Sequence, residues 1–414
     1  MSTVNLVATP SATTEVSAPR YNYAMGYLKA AIVALVVAHH AMLAYHPAAP
    51  PIPASLLAQP RVWQTYPIVD SHRAVWAAIF ATFNDIFMMA LMFLVSGLFV
   101  WKSLRRKGGA AYLRDRWVRL GLPFIVVAAI IAPMSYYPTY LQVAGHGGFG
   151  DFVRDWVALG RWSAGPVWFT WVLLVFDCAA VLLYCLAPGW GEALDRLTQS
   201  AWDRPQRFAA RLIAATAALY FPVALVAGPF NWASWGPFWF QTSRILLYFV
   251  YFLVGVGAGA WGLERGLTAP DGQLARHWRV WIRWAVLAFF AYALALQAAV
   301  SHSIPQNWQE GLRSWSWVAS LALFAVSCAV SSFAFLAIFI RFADKRMPLL
   351  ESLNRNSYGI FLVHFVFVSW LGYFMLGFAM PAIVKFVFVF AGSLALSWGA
   401  TICLRRIPGV ARVV

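Results

Sequence analysis

The chain has 414 residues, of which 62% are hydrophobic and 11% are charged. Soluble domains carry about 25% charged residues, so this composition excludes an ordinary soluble protein. The 22 tryptophans are typical of a protein with aromatic belts at two membrane interfaces. The net charge of +16 would suit a nucleic-acid-binding protein, but membrane topology explains it below, and no nucleic-acid partner is expected.

Ten segments combine an apolar composition with the ~20 residues that a bilayer core requires. They are residues 26–45, 76–101, 118–140, 166–187, 209–228, 243–263, 283–302, 315–340, 356–376 and 382–403. Proline, glycine and charged residues fill the segments between them and are typical of turns. The sequence therefore predicts an all-α fold, a polytopic transmembrane helix bundle of about ten spans.

The basic residues lie mainly in alternate segments between the spans. With the N-terminus inside the cell, 23 of the 31 lysines and arginines fall on the inner side and seven on the outer side. The positive-inside rule then places both termini in the cytoplasm. The polar opening lacks the apolar core of a signal peptide. We expect a disordered cytoplasmic tail (1–21), a transmembrane domain (22–404) and a short cytoplasmic C-terminal tail (405–414).

The first span carries a lysine and two adjacent histidines in the stretch KAAIVALVVAHH, residues 29–40. Eleven helical steps bring Lys29 and His40 to one face, about 16 Å apart along the axis, and turn His39 about 100° away. Lys29 could snorkel to the interface while both histidines serve as neutral packing residues. Ionisable groups at such depth are more often functional, and an imidazole can act as a general base or become acylated.

The segment WKSLRRKGGAAYLRDRWVRLGLP, residues 101–123, is predicted to be a basic loop between spans two and three. Such clusters usually set topology or bind anionic lipid headgroups. That interpretation suits the first four basic residues, which are Lys102, Arg105, Arg106 and Lys107. Arg116 and Arg119 differ, because a spacing of three places them on one helix face, where arginines can bind phosphate bidentately.

Further polar residues lie within predicted spans. Asn84 and Asp85 are in span two, followed by the close-packing SGL that contains Ser96, while Asp177 is in span four and His364 in span nine. His364 should lie at the depth of His40. An aspartate could orient a histidine tautomer, although each residue alone also suits an interhelical hydrogen bond. All four cysteines fall within spans without metal-ligand spacing, and no metal site is expected.

These motifs together resemble the acyltransferase-3 family of integral membrane O-acyltransferases. The first-span motif of that family, an arginine, ten residues and a histidine, is similar to Lys29 to His40. The resemblance also rests on four further phrases, which are FLVSGLF at 93–99, RWVRLGLP at 116–123, GPVWFTWVLL at 165–174 and SYGIFLVHF at 357–365. Lysine replaces the usual arginine at position 29, which keeps the positive charge but loses the planar fork.

The resemblance implies transfer of an acyl group, commonly acetyl from acetyl-CoA, to a hydroxyl of a carbohydrate, a lipid-linked glycan or another acceptor, in the bacterial inner (plasma) membrane. Acyl-CoA, the acceptor and membrane lipids would be the partners. Three sets of site residues are expected: catalytic His40, Lys29 and Asp85; CoA-binding Arg116, Arg119, Arg105 and Arg106; and supporting His39, Asn84, Ser96, Trp168 and His364.

Two other classes of function compete with an enzyme. A multi-span transporter or flippase of an anionic solute or lipid would also place polar residues inside the membrane. It should show inverted repeats with a pair of broken helices, and no such pair is visible in the sequence. A structural membrane protein would not need buried ionisable groups. Within the enzyme hypothesis, direct transfer and an acyl-histidine intermediate both stay open.

Overall fold

The computed structural model describes residues 23–49, 65–66, 68–144, 147–158, 163–302, 305 and 307–413. The predicted N-terminal tail, residues 1–21, lies outside the described residues. Ten helices in the described part are long and apolar enough to cross a membrane. We number them α1 (Tyr23–Tyr45), α2 (Val75–Lys107), α3 (Gly109–Ala144), α4 (Gly165–Leu186), α5 (Pro205–Ala227), α6 (Thr242–Trp261), α7 (Trp278–Ser301), α8 (Trp315–Phe342), α9 (Pro348–Met375) and α10 (Ala382–Leu404).

Each predicted span corresponds to one of these helices, so the all-α, ten-span prediction is confirmed. Proline opens α5 and α9, at a position where its missing N–H leaves no helical hydrogen bond unmade. The described part also contains a short β-hairpin of two antiparallel strands, β1 (Trp232–Trp235) and β2 (Phe238–Gln241), between α5 and α6. Shorter helices span Phe149–Ala158, Trp190–Asp203, Gln273–Arg276 and Trp308–Arg313.

The basic segment between α2 and α3 is helical, and the prediction of a loop there is wrong. Both spans extend into it, and only Gly108 separates them, with φ +76°. Glycine adopts this left-handed conformation without steric cost, so the chain can turn sharply between two helices. Within α3, two π-helical turns follow at Trp117–Gly121 and Val127–Ile131.

Helices α2 and α6 pack backbone to backbone through glycines. A Cβ atom on Gly97 would lie 2.2 Å from the carbonyl oxygen of Phe252, and one on Gly255 would lie 2.0 Å from that of Leu94. Gly259 makes a similar approach, 1.9 Å, to the carbonyl oxygen of Leu98. Small residues permit such close packing in membrane proteins. The expected close-packing role of the SGL segment is therefore confirmed.

Helices α1 and α9 pack side by side and run in the same direction. Near their first turns, Gly26 lies against Asn354, where an added Cβ atom would be 2.5 Å from Nδ2. Further along both helices, the rings of His40 and His364 are 5.4 Å apart. Both contacts advance together along the two helices of the α1/α9 pair, and Lys29 lies about one helical turn after Gly26 on α1. This pair is the scaffold of the candidate site.

At the opposite end of this pair, a short segment is fixed by a buried ion pair. Lys385 of α10 donates a hydrogen bond to Asp70 at 2.6 Å, and these side chains are 1% and 2% exposed. Burial raises the pKa of Asp70, but the hydrogen bonds from Lys385 and His72 together lower it by more. The net pKa of Asp70 therefore lies below its ordinary value. Gln142 of α3 holds the same segment through both backbone groups of Val69.

Candidate active site

Two histidines from α1 and α9 meet inside the bundle. The rings of His40 and His364 lie 5.4 Å apart with their planes tilted by 35°. This confirms the expectation that the two residues share one depth. His39 contacts His40 edge to face at 5.4 Å but is on the adjacent face of α1. The structure thus brings three imidazoles together, with His40 in the middle.

The hydrogen bonds of His364 define its tautomer. Its Nδ1 lies 2.8 Å from the carbonyl oxygen of Phe361. A carbonyl only accepts, so Nδ1 carries the proton and Nε2 of the neutral ring holds a lone pair. This Nε2 is buried without a hydrogen-bond partner among the described residues, and so is Nδ1 of His40. Unpaired buried nitrogens of this kind need an explanation such as a bound ligand or water.

The wall beyond the histidines is aromatic. Phe365 packs edge to face on His40 at 5.2 Å, and Tyr136 of α3 packs on Phe365 at 5.5 Å. Gly165, at the start of α4, adopts φ +62°, and an added Cβ atom would lie 3.3 Å from the Phe365 ring. The glycine is required both by this backbone conformation and by this contact. The GPVW phrase therefore shapes the site from its side opposite Lys29.

Asp85 contacts an arginine rather than a histidine. Its Oδ2 accepts a 2.7 Å hydrogen bond from Arg244 of α6, whose Nη1 also binds the Asp85 carbonyl at 2.9 Å. The Arg244 side chain is 1% exposed and lies over Phe324, whereas that of Asp85 is 46% exposed. Asp85 is close enough to His39 to interact with it electrostatically. The ion pair therefore holds an accessible carboxylate beside the histidines.

Asn84 precedes this aspartate and is fully buried. Neither its Oδ1 nor its Nδ2 has a hydrogen-bond partner among the described residues. The expected supporting role of this residue stays a prediction, but the unpaired amide is consistent with a polar ligand or water that reaches the interior of α2.

The two arginines expected to bind phosphate have different surroundings. Arg116 contacts the buried carboxylate of Asp177, with Nε 3.3 Å from Oδ2, and Nε also donates to the Tyr112 hydroxyl at 3.0 Å. Arg119 is exposed, and its carbonyl accepts a hydrogen bond from the Tyr358 hydroxyl. The π-helical turn that begins at Trp117 widens the helix between the arginines. It therefore separates side chains that a regular α-helix would have aligned.

Asp177 forms an interhelical hydrogen bond, the structural role that suits a single polar residue inside a span. The Tyr112 hydroxyl donates to it from α3, and the carboxylate is fully buried. This contact joins α3 to α4 and leaves Arg116 partly exposed, at 21% of its side chain. No aspartate in the described part hydrogen-bonds to His39, His40 or His364, so the expected orientation of a tautomer by aspartate is not observed.

A group of cations surrounds the beginning of the α1/α9 pair. Lys29 is partly exposed and forms no ion pair with the described residues. Tyr358 of α9 is within electrostatic range of both Arg116 and Arg119. Arg116 and Arg119 therefore lie near Tyr358 of α9, and Lys29 lies about 16 Å along α1 from His40.

The remaining expected donor-binding residues lie farther away, at the end of α2. Arg105 pairs with Glu192 at 2.7 Å, with both side chains exposed. A cavity of about 390 Å³ is lined there by Trp101, Lys102, Arg105, Arg106, Glu192, Asp195 and Ala260. It contains neither histidine, so these arginines lie outside the histidine cluster.

Two supporting residues are placed by helix packing. Ser96 directly precedes Gly97, in the α2/α6 contact. Trp168 packs edge to face on Trp232 of β1 at 5.4 Å and lies 6.0 Å from Tyr248. Neither residue contacts His40 through a ring or a hydrogen bond. Both therefore belong to the helix packing around the site and not to the histidine cluster.

Sequence reasoning missed Arg244, Tyr358 and Gly165. Arg244 stands beside an apolar run, which is a signal for a buried ion pair. Tyr358 and Gly165 lie in the quoted family-like phrases, but no local pattern indicates their contacts with Arg119 and Phe365. Within the described part, no group of three or more His, Cys, Asp or Glu side chains could hold a metal ion.

Comparison with known proteins agrees with these observations. The model of a family described as an acyltransferase domain, acyltransferase-3, matches residues 22–402. No curated protein and no solved structure matches the chain. The ten apolar helices and this match together indicate an integral membrane acyltransferase. Because the match covers most of its length, the chain belongs to the acyltransferase-3 family.

Proposed function

We propose that this protein moves an acyl group, most simply acetyl, from cytoplasmic acyl-CoA to a hydroxyl of a carbohydrate or lipid-linked glycan on the outer side of a bacterial inner membrane. The observation that carries this proposal is the contact of His40 with His364. It places a partly exposed imidazole and unpaired buried nitrogens inside the α1/α9 pair. A transporter is not favoured, because the family is one of acyltransferases.

The cations at the beginning of the pair suit the phosphates of the donor. Lys29, Arg116 and Arg119 are basic side chains, and arginine binds phosphate oxygens with paired N–H groups. The distance from Lys29 to His40, about 16 Å along the helix, is comparable with an extended phosphopantetheine arm. A donor with its phosphates on these cations would therefore bring its thioester near His40.

In this mechanism His40 is the general base. Its imidazole takes the proton of the acceptor hydroxyl while the oxygen attacks the thioester carbonyl. The carbon–sulfur bond then breaks, and the CoA thiolate takes the proton back from the imidazolium. His364 and the aromatic wall position the ring, and Asp85 offers a carboxylate oxygen to the acceptor. Attack by His40 itself, to form an acyl-histidine, is the second variant.

The test uses purified protein in detergent with acetyl-CoA. Slow release of free thiol and binding of CoA should both be measurable. General-base catalysis is typically worth about 10²–10⁴-fold, so His40→Ala should lower thiol release at least about 100-fold while CoA still binds. His39→Ala, on the adjacent face, should be milder. Absence of CoA binding would refute acyl-CoA as the donor. Loss of turnover in His39→Ala but not in His40→Ala would show that His39, and not His40, is the base.

A further inference from the structure

A second cavity lies where α1 and α9 begin. It has a volume of about 410 Å³ and is lined by Tyr23, Arg346, Glu351, Asn354 and Arg355. None of these residues belongs to the histidine cluster, and none is one of the cations Lys29, Arg116 and Arg119. The cavity continues the same helix pair in the direction away from His40.

The position of Arg346 is fixed by α1. The Tyr27 hydroxyl accepts a 2.9 Å hydrogen bond from the backbone N–H of Met347, the residue that follows Arg346. On the other side, the close approach of Gly26 to Asn354 leaves no space for a Cβ atom. The two walls of the cavity are therefore joined by specific contacts that hold the loop before α9 against α1.

The cavity is positively charged. Glu351 binds both arginines, with Oε2 2.7 Å from Arg346 Nε and Oε1 3.0 Å from Arg355 Nη2. Two guanidinium groups on one carboxylate leave a net charge of +1. Their side chains are 67% and 62% exposed, and the two terminal amino groups of Arg346 have no hydrogen-bond partner among the described residues. Such groups can bind a phosphate monoester.

The order of groups along the pair matches the order of groups in coenzyme A. His40 is about 21 Å along α1 from Gly26 and about 16 Å from Lys29. The cavity therefore lies about one helical turn beyond the level proposed for the pyrophosphate. In coenzyme A, the adenosine and its 3′-phosphate come next after the pyrophosphate.

We propose that this cavity binds the 3′-phosphoadenosine end of the donor, with the 3′-phosphate on Arg346 and Arg355 and the adenine against Tyr23. This inference rests on the proposed use of acyl-CoA. A phosphate monoester could also come from a lipid headgroup such as phosphatidic acid, and the experiment separates the two sources.

The experiment measures binding of CoA and of dephospho-CoA, which lacks only the 3′-phosphate, to the purified full chain in detergent. The unchanged protein should prefer CoA. Arg346→Gln and Arg355→Gln should each weaken CoA binding about tenfold, as expected for loss of a charged hydrogen bond, and leave dephospho-CoA binding unchanged. Lys345→Ala removes the same charge next to the cavity and should change neither affinity.

Glu351→Gln gives a result that misfolding cannot imitate. It removes the negative charge beside the phosphate, so CoA should bind more tightly while dephospho-CoA binding changes less. Adding phosphatidic acid should not abolish the preference for CoA over dephospho-CoA.

Three results would overturn the inference. They are equal affinity of the unchanged protein for the two ligands, equal weakening of both ligands by the arginine variants, and loss of the preference when phosphatidic acid is added. Failure of the unchanged protein to bind either ligand would instead refute acyl-CoA as the donor, and the inference with it.

Discussion

His40 and Lys29 show how much one helix can indicate about a site. Their spacing put them on one face of α1, and the structure places that face against α9, with Gly26 on Asn354 and His40 on His364. The residue pattern did not indicate what His40 contacts. Its partner comes from a helix more than three hundred residues away in the chain.

Lys29 provides a test of the proposed binding of the donor phosphates. Arginine at this position would restore the planar fork of the family motif, so Lys29→Arg should bind CoA at least as tightly as the unchanged protein. Lys29→Gln should weaken binding several-fold, and the loss should shrink at high salt because the contact is partly ionic. Titration of CoA at two salt concentrations measures both effects, and equal affinity of all three proteins would remove Lys29 from the donor site.

The ion pair of Asp70 with Lys385 is expected to stabilise the end of the bundle opposite Lys29. Asp70→Asn leaves a buried cation unpaired, which typically costs about 3–5 kcal/mol, so the apparent melting temperature should fall by several degrees. The double variant Asp70→Asn with Lys385→Met should recover most of this loss. Thermal unfolding in detergent measures it, and no recovery in the double variant would show that the loss arises elsewhere.

This pair also predicts a pH dependence. Burial raises the pKa of Asp70, while the hydrogen bonds from Lys385 and His72 lower it more. A carboxyl whose folded pKa is depressed stabilises the fold fully above its ordinary pKa, and this contribution is lost as the pH falls through the folded value. The difference in melting temperature between the unchanged protein and Asp70→Asn should therefore shrink at acidic pH, below about pH 4.

At the scale of helices, glycines permit the close contact between α2 and α6. Gly255→Ala would place a Cβ atom 2.0 Å from the Leu94 carbonyl oxygen, so α2 and α6 would have to separate. Overpacking of this kind costs about 1–3 kcal/mol. Gly399→Ala is the matched control, because that glycine is also helical and no atom lies near its Cβ position.

The expected result is a lower melting temperature for Gly255→Ala and an unchanged or slightly higher one for Gly399→Ala, since alanine is the better helix former. Similar melting temperatures for the two variants would mean that the α2/α6 contact is less important than its geometry suggests. The comparison needs only thermal unfolding of purified protein.

At the scale of the whole molecule, the direction of insertion is testable. The charge distribution predicts that both termini and residue 107 lie in the cytoplasm, and that residues 150 and 380 lie outside. Reporters fused after these three positions should report that pattern in cells. A cytoplasmic signal at 150, or an external one at 107, would contradict the predicted orientation and the cytoplasmic entry of the donor.

The sequence by itself determined the class of the protein and the number of its spans. A helix that crosses a bilayer needs about 20 mostly apolar residues, so composition and length alone identify the ten spans. The sequence also predicted that Lys29 and His40 share one helix face, because this depends only on the geometry of one regular helix. The family resemblance rested on short sequence motifs that occur in the same order along the chain as in the family.

Tertiary structure alone decided which polar residues meet. Asp85 pairs with Arg244, and Asp177 with Tyr112 and Arg116, because distant helices bring those groups together. The π-helical turn after Arg116 also broke the regular spacing on which its alignment with Arg119 depended. Partners inside a membrane are chosen by packing between helices, and the local sequence around Asp85 or Asp177 does not indicate which helix will face it.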